Sequence, residues 1–393
     1  MTVLNPAREN AAPRRTLAVA GAAHALHDGY TDLILVLLPV WQAEFALGYG
    51  ALALLRGVYS GAMAALQVPS GRLAERWGHA PVLAAGTALT ALGYGLAGLS
   101  GGMAGLFVGL AIGGAGASVQ HPIGSSAVAR AYGAASRGPL GTYNFSGDLG
   151  KAAIPAAGAL LLTWMAWRHA LFALAGFAAL AALAILLLMP ATAPRATAEE
   201  HHAEGEGRGG FALLFSIGVL DTGVRMGFLT FLPFLLKAKG AELPLIGTAL
   251  ALVFLGGAAG KFLCGWLGHR LGVLWTVLAT EGGTAAMIVA VVFLPLGPAL
   301  IVLPLLGAML NGTSSVLYGT VPELAKAGRI EQAFALFYTG NIGSGALSPV
   351  LYGVLGDAVG PRWATAATAM TALAICPLML ALAPKLRTPA RSR

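Results

Sequence analysis

Apolar runs long enough to cross a bilayer as helices, roughly 20 residues each, fall at 17–42, 50–72, 80–100, 102–129, 138–163 and 167–190. A polar segment, Ala191 to Gly210, follows and carries Glu199, Glu200, His201, His202, Glu204, Glu206 and Arg208. Six further runs occupy 211–236, 244–267, 273–294, 298–321, 332–356 and 363–384. The pattern predicts an all-α membrane protein of twelve transmembrane helices in two pseudo-symmetric six-helix bundles, 1–190 and 211–393, joined by a cytoplasmic linker at 191–210. Met1 to Arg15 is polar and the first apolar run is too long for a signal-peptide core, so that run reads as a spanning helix.

Composition agrees. Only 10% of the 393 residues are charged and 57% are hydrophobic, whereas a soluble domain carries about a quarter charged residues. Lipid is the solvent this balance implies. Cys264 and Cys376 lie in apolar runs and give neither a disulfide framework nor metal-ligand spacing. With the N-terminus in the cytoplasm, 16 of the 24 basic residues fall on the cytoplasmic side, four on the opposite side and four within spans. That bias predicts both termini inside. It also explains the net charge of +8 without nucleic acid.

The two halves repeat. Gly71, Leu73, Arg76 and Gly78 after the second run recur 194 residues later as Gly265, Leu267, Arg270 and Gly272. The same shift carries Pro155 to Pro349. One register relating two distant pairs of elements points to an internal duplication.

The segment Gly71-Arg72-Leu73-Ala74-Glu75-Arg76-Trp77-Gly78 resembles the signature of the major facilitator superfamily of secondary transporters, and the resemblance runs along essentially the whole chain. Glu75 stands where an Asp is usual. The resemblance implies that Arg72, Glu75 and Arg76, set between Gly71 and Gly78, form a conformational latch; a simple positive-inside anchor is the other reading. Within the superfamily the chain is similar to the fosmidomycin-resistance branch of efflux proteins. That likeness rests on His24-Ala25-Leu26-His27-Asp28, on Pro39 and Phe45, and on Gly116 through Pro122 to Ala129-Arg130, with Ile123 where a Glu is expected. Span five resembles the antiporter signature of drug exporters at Gly141, Gly150, Pro155 and Gly158, with Ile154 replacing a glycine. A Gly/Ala packing face is the alternative reading, since small residues permit close helix contact.

Ionisable side chains within spans are costly, about 2.5–3.5 kcal/mol each on the insertion scale, and so need a partner or a wet cavity. His24, Asp28 and Asp32 recur at i, i+4 and i+8 on one face of span one. Such a stripe can load a proton from one side and release it to the other. Asp28 is the expected coupling group with His24 or Asp32 assisting, against the alternative of a fixed partner for a buried base; His27 lies off that face and reads as structural. In span five Asp148 and Lys151 are i, i+3, with Asn144 one turn earlier. They read either as a neutralised pair or as a substrate site in which Lys151 takes an anionic group. Asp221 and Arg225 offer the same choice in span seven. Arg56 and Lys261 face a cavity or link helices, and Glu281 reads as a structural partner for a basic residue. His121, Asn311, Asn341 and Tyr30 complete the substrate-site candidates; Tyr143, Phe145, Tyr318 and Tyr338 supply an aromatic wall or packing. The Glu/His run at 199–206 reads as a solvated linker and no metal site is assigned.

The sequence therefore predicts a proton-coupled efflux antiporter for a small organic solute, anionic or phosphonate-like, in a bacterial inner membrane. It would work as a monomer by alternating access, with no cofactor beyond the proton gradient. No catalytic constellation or nucleotide-binding lysine motif is present to suggest an enzyme. The alternative function keeps the fold and reverses the direction: a symporter importing an organic acid or a metal chelate such as a siderophore.

Overall fold

The computed structural model describes residues 11–190, 210–326 and 330–386. The linker from Ala191 to residue 209, with its Glu/His run, lies outside the described residues, as do Arg8, Arg329, Arg387, Arg391 and Arg393. Among the described residues stand twelve long helices and no strand. They are α1 (Ala11–Phe45), α2 (Tyr49–Trp77), α3 (His79–Leu99), α4 (Met103–Tyr132), α5 (Arg137–Trp164) and α6 (Trp167–Leu188). After the linker come α7 (Phe211–Ala238), α8 (Leu243–Gly268), α9 (Arg270–Phe293), α10 (Leu296–Leu324), α11 (Ile330–Val359) and α12 (Pro361–Leu382).

Ten of the twelve are long and apolar enough to cross a membrane; α1 and α5 fall short of that measure. The reason lies in their side chains: α1 carries His24, His27, Asp28 and Asp32, and α5 carries Asn144, Asp148 and Lys151. Burial is inverted relative to a water-soluble protein. Leu92, Trp164, Phe177, Leu187 and Ile301 are exposed, while His24, Asp28, Asp32, Asp148, Asp221 and Glu281 are buried. Lipid tails accept the first set, and the second must be satisfied inside. The chain is a multi-pass membrane protein.

The described residues group into two compact units, those within Met1–Phe45 and Val58–Ala198 and those within Ala46–Gly57 and Glu199–Arg393. In the first, α1 packs on α5, and α3 packs on both α4 and α6. Backbones of α1 and α5 come into direct contact, because a Cβ on Gly150 would collide with the Ala25 carbonyl and one on Gly29 would lie 2.7 Å from the Gly150 carbonyl. In the second unit, α8 and α9 pack on α10, and α7 lies against both α11 and α12. At the start of α2, which belongs to this unit, the Asp357 carboxylate accepts hydrogen bonds from the Tyr49 N–H (2.6 Å) and the Gly50 N–H (2.9 Å). Those donors are unpaired within any helix N-terminus, so a carboxylate there acts as a cap supplied by another helix.

The repeat read from the sequence reappears as backbone geometry. Gly78, between α2 and α3, has φ 88, and Gly272, its counterpart, has φ 80. Only glycine enters that region without a steric penalty. Pro155 and Pro349 likewise both lie inside their helices, α5 and α11.

Candidate functional site

In the first unit one carboxylate gathers cationic and imidazole groups from three helices. Asp28 on α1 lies 5% exposed. Its Oδ2 is 3.1 Å from Lys151 Nζ of α5 and 3.4 Å from His24 Nε2, one turn back on α1. Its Oδ1 is 3.7 Å from His27 Nε2 and 3.8 Å from His121 Nε2 of α4. Lys151 also lies 4.0 Å from Asp148 Oδ1, so the nearer of its two carboxylates is the one on another helix.

Local sequence explains how these groups converge. The helical period places His24 above Asp28 on one face. Gly147 removes the side chain that would block them: a Cβ there would lie 2.7 Å from Asp28 Oδ2 and 2.9 Å from His24 Nε2. On α4, the α-helix ends at Ala117 and a π-helical turn, Gln120–Gly124, carries His121 before helix resumes at Ser125. Pro122 brings no N–H to the ladder, and Ser125 Oγ donates to the His121 carbonyl at 2.5 Å. Such widened turns recur at functional sites, because they re-aim a side chain within an otherwise regular helix.

His24 is held on both of its remaining sides. Its Nδ1 donates to the Tyr143 carbonyl at 2.8 Å, and its ring stacks on Tyr143 at 4.2 Å between centroids. Tyr143 in turn donates from its hydroxyl to the Gln120 carbonyl at 3.1 Å, tying α5 to the π turn. Ser146 Oγ donates to the Gly21 carbonyl at 2.9 Å. The Nε2 atoms of His24 and His27 are buried without a hydrogen-bond partner. A small cavity lined by His27, Tyr30, Thr90 and Gln120 adjoins the cluster. The site is not sealed, since the side chains of His121 and Lys151 keep 34% and 30% exposure.

Several sequence candidates meet here and others do not. His24, Asp28, His121 and Lys151 come together, with Asp148 at the edge. Asp32 is buried further along α1, and Asn144 is exposed on α5. Tyr30 is fully buried, donates its hydroxyl to the Leu174 carbonyl at 2.5 Å and lines the small cavity beside the cluster. His27, set aside by periodicity, joins the cluster because an imidazole at i−1 reaches around the helix to the same carboxylate. Of the α5 glycines, Gly150 and Gly158 pack against Ala25 and Leu33, whereas Gly141 faces open space.

The second unit holds a different arrangement. Asp221 on α7 and Glu281 on α9 are both buried and hydrogen-bonded to each other, and Glu281 also meets Thr313 of α10. Arg225, one turn beyond Asp221, donates to Thr222 Oγ1 at 3.4 Å. Glu281 was expected to partner a base, and the Arg225 charge does act on it; its hydrogen-bonded neighbours are Asp221 and Thr313, and a carboxyl–carboxylate bond requires a proton between two groups that otherwise only accept. Asn341 donates to the Tyr318 hydroxyl at 3.4 Å, and Asn311 to the Gly307 carbonyl of its own helix at 3.0 Å. Arg56, in the α2 segment of this unit, points Nη1 at Met226 Sδ, 3.7 Å away. Arg72, Glu75 and Arg76 are exposed at the end of α2, in the first unit.

Comparison with known proteins places this geometry in context. The family model described as Major Facilitator Superfamily matches residues 20–212 and again 213–393. Comparison with curated proteins gives no match. Among solved structures, a bacterial homolog of the human lysosomal transporter Spinster, in an inward-facing and occupied conformation, superposes with a TM-score of 0.81 at 16% identity, covering 95% of this chain and 98% of its own. The same homolog in an unoccupied conformation gives 0.79 at 15% identity, over 97% of this chain and 99% of its own. A peptide transporter, POT, solved with sulfate gives 0.75 at 15% identity and covers 94% of both chains. At these identities the likeness is one of fold.

Proposed function

The chain belongs to the Major Facilitator Superfamily, and on that premise we propose that it is a proton-coupled secondary transporter exporting a small organic, anionic solute by alternating access. One observation carries the reading: Asp28 is buried beside Lys151 at 3.1 Å within a ring of three imidazoles. A buried ion pair is tolerated while both charges remain, and loss of one leaves the other uncompensated. Protonation of Asp28 releases Lys151, whose ammonium then takes the anionic group of the solute. Departure of the solute returns Lys151 to Asp28 and favours release of the proton. The two ligands thus exchange at one pair of side chains, as antiport demands.

Export is supported by the likeness of span one and span four to the fosmidomycin-resistance branch and of span five to the antiporter signature. The excess of basic residues in the predicted cytoplasmic segments supports an inner-membrane location with both termini inside. The test is reconstitution into liposomes loaded with a pH-reporting dye and challenged with a panel of organic phosphonates and carboxylates. A substrate of the parent should drive proton movement in the opposite direction, and Asp28→Asn should abolish it. Solute flux without proton movement, or proton-coupled flux undiminished in Asp28→Asn, overturns the reading.

A further inference from the structure

The ring around Asp28 has a property that proton exchange leaves unused. His24 Nε2, Asp28 and His121 Nε2 present one donor atom each, all within 4.8 Å of one another. His27 Nε2 approaches the same carboxylate at 3.7 Å. From these positions we propose that His24, Asp28 and His121 form a three-ligand binding site for a divalent transition-metal ion of the zinc, cobalt or nickel type, with the fourth position left open.

Three features carry the assignment. The first is spacing. A tetrahedral ion bound at about 2.0–2.1 Å holds its donors roughly 3.3 Å apart. The three donors lie within 4.8 Å of one another, with His24 Nε2 at 3.4 Å from Asp28 Oδ2 and His121 Nε2 at 3.8 Å from the other carboxylate oxygen, Oδ1. Closing the remainder falls to a change of side-chain rotamer at His121, the partly exposed member.

The second is preorganisation of His24. Its Nδ1 proton is given to the Tyr143 carbonyl, which fixes the tautomer and leaves the Nε2 lone pair facing Asp28. Metal-binding histidines are oriented in this way, with the distal nitrogen donating to a backbone carbonyl or carboxylate.

The third is dissatisfaction. The Nε2 atoms of His24 and His27 are buried, lie more than nine-tenths out of solvent, and make no hydrogen bond, although both face a carboxylate. Buried nitrogens rarely go unpaired without a reason such as an ion. Protonating every imidazole would set three like charges beside the Lys151 ammonium in one contact shell, which burial disfavours. A single cation shared by His24, Asp28 and His121 relieves that set without adding a charge to each ring. Imidazole and carboxylate together suit zinc and its neighbours better than calcium or magnesium, which prefer all-oxygen shells.

Lys151 Nζ, 3.1 Å from Asp28 Oδ2, occupies the edge of this site as a resident cation and competes with the metal. The inference adds a second kind of ligand to the transport reading and is decided by binding alone, with no solute or gradient involved.

The experiment uses the full chain, purified in detergent, stripped with chelator and titrated with Co²⁺ at neutral pH in a background carrying His201→Gln and His202→Gln, which removes the linker histidines. One Co²⁺ per chain with the intense visible absorption of tetrahedral cobalt is expected, displaced by Zn²⁺. His121→Gln, whose side chain is partly exposed and whose loss spares the buried core, should weaken binding by at least about tenfold, and His24→Gln should remove the tetrahedral band. Lys151→Gln should tighten binding by roughly tenfold, since a competing charge is gone; a purely structural role for these residues would not give that sign. Equal binding by the parent and the His121→Gln protein, or only the weak spectrum of six-coordinate cobalt, overturns the site. Loss of affinity in Lys151→Gln would overturn the competition.

Discussion

Lys151 and Asp28 face each other at 3.1 Å across the contact between α5 and α1, and each is the other's nearest opposite charge among the described ion pairs. Removing Lys151 leaves Asp28 buried without its cation, and removing Asp28 leaves Lys151 only the more distant Asp148. Asp28→Asn and Lys151→Met should each lower stability by about 3 kcal/mol, the lower end for a broken buried pair, because Lys151 is partly exposed. The double variant should recover most of the loss. Thermal melting of the four purified proteins checks the cycle, and simple additivity of the two losses would show that the pair is not coupled.

The glycines of α5 should separate sharply. Gly150→Ala forces a methyl group into the Ala25 carbonyl, with backbone on both sides and no flexible side chain to yield. A cost of about 1–3 kcal/mol is expected, the range for an overpacked contact. Gly141→Ala meets nothing within 4 Å and should be neutral or gain up to about 1 kcal/mol from helix propensity. Expression level and melting temperature of the two variants read this out. Equal behaviour would mean that the motif acts through something other than packing.

Spans, the repeat and the α1 stripe were legible because each rests on a period or a register: run length for the helices, the 194-residue shift for Gly78 and Gly272, and 3.6 residues per turn for His24 and Asp28. The partnership of Asp28 with Lys151 and His121 was not. It depends on the close approach of α1 and α5 at Gly29 and Gly150 and on a π turn at Gln120–Gly124, neither of which has a period to read. Glu281 was legible only in part. A base, Arg225, does act on it, but only packing reveals that Asp221 and Thr313 bond to it as well.

That acidic pair yields its own expectation. Two carboxyls joined by a hydrogen bond hold one proton between them, so replacing one by an amide preserves the bond. Glu281→Gln should melt within about 1 kcal/mol of the parent, whereas Glu281→Ala leaves Asp221 buried without that partner and should cost about 1–3 kcal/mol. Similar melting temperatures for the two variants would remove the hydrogen bond from the account.

Asp357 offers a simpler case. It accepts from two backbone N–H groups at the start of α2. Asp357→Ala should cost about 0.5–2 kcal/mol, as for loss of a helix cap, and Asp357→Asn should recover only part of it, since its single amide oxygen can keep one of the two bonds while its NH2 faces the other N–H. Melting curves decide it. An alanine variant as stable as the parent would reduce the contact to an incidental one.

The two helices that fall short of the apolarity needed to cross a membrane are also the two that neutralise each other. Synthesis runs from α1 to α5, so the acidic face of α1 is made before Lys151 exists. Until then the helices available to cover that face are the apolar α2, α3 and α4 that emerge between them. Assembly of this bundle is therefore a problem of timing as much as of hydrophobicity, with α5 as the piece that closes the circuit.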